Sequence, residues 1–250
     1  MSKWECTFLS SFLVSLRYVG SFSHGVRLIV IVFFLGVRSL SYAWVDGTPH
    51  FFDRFPDVME QPFLPAAPAQ SNLPRLVVGD RQEFFSMDFR TNEQYTLSAT
   101  LRAIGEFCYV FVEDSQWNRV VNGKTVDTVR RAFDDSTPAY PKRGIYQIET
   151  ELFGHPPDVD GDDKIYLLLL DIRDSAVRGF GFIAGFFSPV DQHRGVLRHP
   201  ALGVPIRSNE RDLLYVDTHP LDVGGEEGLG VVAHELQHLI HWQHDRDEKV

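Results

Sequence analysis

His234, Glu235 and His238 stand in the order H-E-x-x-H in the closing stretch AHELQHLIHWQHDRDEKV. On a helix, residues four apart sit one turn apart on the same face. Two imidazole nitrogens so placed can converge on one zinc ion at about 2.0–2.1 Å. Glu235 flanks the pair with the chemistry of a general base. It can take a proton from a water that the metal has acidified and deliver it to a leaving amine. The competing reading is plain: an amphipathic helix can show this pattern by chance, with the three residues as surface polar groups.

The elements around the motif favour a site. At about 100° per residue, Leu229, Val232, Ala233, Leu236, Leu239 and Ile240 fall within an arc of roughly 120° that faces a core. His234, His238 and His241 fall on the opposite side. The helix follows a glycine-rich entry, and Glu226 and Glu227 occupy its first turn, where the helix dipole favours negative charge. Upstream, LVVGD, EFFSMDF, YTLSATLRAI and CYVFVED are short β-rich runs between turn signals. Tyr95, Leu97, Ala99, Leu101 and Ala103 alternate with polar residues, as a half-buried strand requires. KTVDTVRRAFDD sets Val126, Val129, Ala132 and Phe133 at helical spacing, and IYQIETELFG reads as a second short helix closed by Gly154. Ile165–Leu170 is a continuous apolar run, suited to a strand buried on both faces. GFGFIAGFFSP reads as an edge strand with bulges, and RDLLYVD as a further strand. The fold class expected is α+β: a mixed twisted sheet with two or three helices, ending in the helix that carries the motif.

A second cluster, Asp158, Asp160 and Asp162, alternates carboxylates in DVDGDDKI and is a candidate calcium turn. It is no EF-hand, since that loop needs glycine at its sixth position and glutamate at its twelfth, here Asp163 and Leu169. An acidic, solvated turn is the plainer alternative.

The motif resembles that of the zincin metallopeptidases, with His234 and His238 as ligands and Glu235 as general base. The strands, SNERDLLYVDTHP and the glycine-rich approach to AHELQHLIHW are similar to secreted bacterial peptidases of the gluzincin type, the hyicolysin-like group. The resemblance implies a zincin-like N-terminal subdomain, Zn2+ as cofactor and a protein or peptide substrate. A catalytic zinc takes a third protein ligand as well. In metzincins it is a histidine at the place of His244, but His241 then stands where those peptidases have a glycine. His241 lies about 10.5 Å along the axis from His234, too far to share the ion. In gluzincins the third ligand is a glutamate on a later helix. The resemblance therefore places that ligand beyond Val250, making this chain a C-terminally truncated, weakly active or inactive form. His244 stays as an alternative third ligand.

The remaining sequence bounds the setting. The net charge of −10 and the absence of a basic run argue against nucleic acid as a partner. Two cysteines, Cys6 and Cys108, make neither a disulfide framework nor a cysteine zinc site. Residues 1–43 read as a signal peptide: Arg17 and Arg27 precede the apolar run Leu28–Val37, and Ser41-Tyr42-Ala43 offers a cleavage site. Ten apolar residues are too few to span a bilayer, so no stable membrane span is expected after cleavage. The expected location is secreted or periplasmic. N-terminal sequencing of exported protein should start at Trp44, and an intact Met1 would refute the leader. Residues 44–75 read as a proline-rich linker or arm, and 76–250 as the catalytic domain. The rivals to a zinc peptidase are a non-catalytic secreted binding module with a degenerate motif and a calcium-stabilised adhesion-type domain.

Overall fold

Strand β1 (Trp44–Asp46) is the first element in a computed structural model that describes residues 44–49, 75–174, 181–198 and 205–247. The leader and residues 50–74 of the expected arm lie outside the described residues. After β1 come β2 (Arg81–Asp88), β3 (Glu93–Ile104) and β4 (Cys108–Glu113), then α1 (Gly123–Asp134) and α2 (Ile145–Phe153). They are followed by β5 (Ile165–Leu170), β6 (Phe182–Phe187), β7 (Val196–Arg198), β8 (Pro205–Arg207), β9 (Leu213–Asp217) and α3 (Glu226–Asp247). The fold is α+β, with one mixed sheet in the order β1-β6-β9-β5-β4-β3-β2 and a separate β7–β8 pair. Among the described residues no helix is long and apolar enough to cross a membrane.

Local sequence explains most of these elements. Ile165–Leu170 is buried at every position because β5 lies between β4 and β9, parallel to both. In β3 the apolar side buries Leu97, Ala99 and Leu101. A bulge between Leu101 and Ala103 then shifts the register against β4 and leaves Ile104 exposed. The Asn122 side chain accepts from the Lys124 and Thr125 amides at the start of α1, whose Val126, Val129, Ala132 and Phe133 are buried as a set. Gly154, at φ 94°, ends α2 in a conformation costly for a residue with Cβ.

Two features differ from the sequence reading. Trp44–Asp46, assigned to the arm, is a sheet strand, paired in parallel with β6. Three residues carry too little periodicity to register as a strand. For the same reason the edge assignment of GFGFIAGFFSP fails: β6 has β9 on one side and β1 on the other. The expected bulge is present: Val45 and Asp46 pair with Ile183 and Gly185, which leaves Ala184 of β6 as the extra residue.

Directly after β6, the 3-10 turn Pro189–Gln192 is tied to the sheet by Asp191. Its carboxylate accepts from the Tyr215 hydroxyl at 2.6 Å and from the Asn209 backbone and side-chain amides at 2.7 and 2.9 Å. Burial pushes the Asp191 carboxyl up to about 6, against the lowering effect of these donors. The folded pKa is raised, so the group's stabilising contribution is full below the unfolded value of 3.8 and is lost as pH rises through about 6. Wild type should lose about 3 kcal/mol relative to Asp191→Asn across that window. Urea unfolding at a series of pH values checks this, and parallel curves for the two proteins would refute it.

Candidate metal centre

The motif helix α3 packs on β6 and β9 with Val232, Leu236, Leu239 and Ile240 buried and Leu229 and Ala233 partly so. His234 and His238 stay at the boundary, with side chains 35% and 28% exposed. Their Nε2 atoms are 3.2 Å apart, one turn of helix bringing the two rings edge to face. A third group completes the cluster. Asp46 Oδ2 lies 3.1 Å from His234 Nε2 and 2.8 Å from His238 Nε2. Burial by itself raises the Asp46 carboxyl, but the bonds to His234 and His238 outweigh it and hold the group well below the usual carboxylate range.

The donor set fits zinc. Ligand atoms about 2.0–2.1 Å from a tetrahedral ion stand about 3.3 Å from one another. The three separations here are close to that figure, and two imidazoles with one carboxylate is a zinc donor set. Asp46 went unnoticed in the sequence because it lies 188 residues before His234, in a segment with no motif of its own.

Glu235 is fully buried, on the sheet side of the histidines. Its Oε2 accepts from the Thr48 hydroxyl at 2.9 Å, and the Thr48 oxygen in turn accepts from the Phe187 amide at 2.8 Å. Burial pushes the Glu235 carboxyl well up, the nearby Asp46 charge adds to this, and the Thr48 bond opposes it.

The other candidates are placed elsewhere. His244 is exposed, and its ring covers Gly154 at the end of α2, where an added Cβ would lie 2.5 Å from its Nε2. His241 stands edge-on to Phe153 at 5.6 Å. Neither belongs to the His234–His238–Asp46 cluster. Of the acidic turn, Asp158 and Asp160 converge with Asp212, each offering an oxygen within 4.8 Å of the others. Asp162 is outside that trio, and its two oxygens face the Tyr109 hydroxyl at 3.1 and 3.0 Å. Asp212 takes its place from 50 or more residues downstream, accepting from the Val159 amide at 2.9 Å. Burial pushes Asp160 up to about 7, with the Asp162 charge adding to it, and burial likewise raises Asp212.

No protein-family model matches the chain. Among curated proteins it is similar to the neutral metalloprotease ShpI of Staphylococcus hyicus, 26% identical over 181 residues. The match covers 70% of this chain and 36% of the relative, so the chain spans well under two thirds of the relative's length.

Proposed function

We propose that this chain carries the metal-binding and proton-transfer part of a secreted zinc metallopeptidase. The observation that carries the proposal is the pair of imidazole nitrogens 3.2 Å apart on one face of α3, with a buried glutamate between them in sequence. The similarity to a protein named as a neutral metalloprotease supports it, as does the signal-like leader. His234 and His238 would hold zinc, which supplies Lewis acidity and an acidified water at neutral pH. Glu235 takes a proton from the attacking water and returns it to the departing amine nitrogen. The main-chain groups of β6 beside the site, which β1 pairs with in this structure, are of the kind that an extended polypeptide substrate uses.

The test is hydrolysis of an unfolded protein such as casein. Hydrolysis should stop on chelation, return with zinc and be absent in Glu235→Gln. Hydrolysis that survives chelation or the Glu235→Gln change would overturn the assignment.

The Asp158–Asp160–Asp212 trio supports a calcium site in this same reading. Calcium is bound by several carboxylate and carbonyl oxygens, and it relieves the repulsion of three clustered acids. An ion bound only by the folded state stabilises it, by about 2.7 kcal/mol at a hundredfold excess over Kd. Calcium should therefore raise Tm, and Asp160→Ala should remove the gain. Equal melting with and without millimolar calcium would leave an acidic turn and nothing more.

A further inference from the structure

Residues 45–48 place three contacts on three different parts of the proposed site. Asp46 puts a carboxylate oxygen against both histidine nitrogens. Thr48 donates to Glu235, the group that must receive a proton from the attacking water. Between them the backbone of 44–46 lies along β6 in parallel, and the Gly47 amide donates to Gly185 O at 2.9 Å. The fit is close: a Cβ on Gly47 would lie 2.8 Å from Ile183 Cγ2, 3.0 Å from Phe186 Cβ and 3.1 Å from Gly185 O.

A residue that served only as a third metal ligand needs the first of these contacts. It has no need for its neighbours to occupy the base and the side of β6 away from β9 as well. A peptide substrate needs all three places: the metal, the base and the strand edge. We infer that residues 44–49 are an internal strap that occupies the substrate site, with Asp46 on the metal position and Thr48 on Glu235, so that substrate binding requires the strap to leave. Asp46 is then a displaceable ligand and the chain as folded is latent. This rests on the metallopeptidase function proposed above.

The strap acts as a tethered competitor. A ligand that must displace it binds more weakly by the factor that favours the closed state. Gly47 offers a way to evict it without touching a metal-binding group or Glu235, because the Gly47→Val side chain collides with β6. The experiment uses the zinc-loaded 250-residue chain, wild type and Gly47→Val, with a peptide hydroxamate as probe. Probe affinity is measured by calorimetry, zinc content by metal analysis and strap position by hydrogen exchange at the residue 47 amide. The expected results are that the wild-type Gly47 amide is protected until the probe binds and then exchanges freely, and that Gly47→Val keeps its zinc and binds the probe at least about tenfold more tightly. Three outcomes overturn the strap while leaving the zinc site intact in wild type: a Gly47 amide still protected with probe bound, equal probe affinity in the two proteins, or loss of zinc from Gly47→Val. The last would make Asp46 a resident ligand. Failure of wild type itself to bind zinc would instead overturn the metallopeptidase function, and the strap with it.

Discussion

Changing His234 or His238 to Ala is expected to abolish stoichiometric zinc binding. The two Nε2 atoms are the invariant part of the cluster, fixed 3.2 Å apart by one turn of α3, and either change leaves one imidazole. Loss of even an outer partner of a zinc ligand costs about 10–100-fold in affinity, so loss of a ligand should cost about 100-fold or more. Glu235→Gln should bind zinc nearly as wild type does. Its side chain bonds to Thr48 and stands outside the cluster, and burial already disfavours its charge, so a neutral amide is tolerated. His244→Ala should leave the affinity unchanged, because its ring lies over Gly154. Competition titration against a chromogenic chelator reads all four variants. Zinc that disappears in His244→Ala as fully as in His234→Ala would put His244 in the site and refute this geometry.

A large loss of stability is expected from Gly185→Val. β6 and α3 approach so closely at this position that a Cβ would lie 2.6 Å from Val231 Cγ1, 3.0 Å from Tyr215 O and 3.1 Å from Glu235 Cγ. The Val231 methyl is able to give way, whereas the Tyr215 carbonyl belongs to β9 and is fixed by the sheet. Overpacking of this kind costs about 1–3 kcal/mol, and two added methyl groups put the change at the upper end. The displacement falls on the turn of α3 that carries Glu235, so the proposed proton transfer should suffer along with stability. Val231→Ala removes the closest clash and should recover part of the loss. Urea unfolding of the two single variants and the double variant gives the coupling energy. Additive effects would show that α3 does not bear on Gly185 in solution.

The strand texture of β3, the two-sided burial of β5 and the buried faces of α1 and α3 were legible in the sequence. Each depends on spacing within one element: Leu97, Ala99 and Leu101 at period two, Val126, Val129 and Ala132 at the helical period. The pairing of His234 with His238 was legible for the same reason, since four residues on a helix fix a distance whatever the helix packs against. Asp46 and Asp212 were not. Asp46 reaches the histidines only because β1 adds to the far side of β6, and Asp212 reaches Asp158 and Asp160 only because β9 lies beside β5. Nothing near either residue in the chain encodes those neighbours, because strand order is settled by the packing of the whole sheet. The burial of Glu235 follows the same rule. At 100° per residue its sequence position turns it to the side of the two histidines, but only the packing of α3 on the sheet puts that side in the interior, where Gly185 leaves room for its side chain. Local spacing determined which groups could act together within one helix, while the long-range pairing of β1 with β6 decided what stands against them.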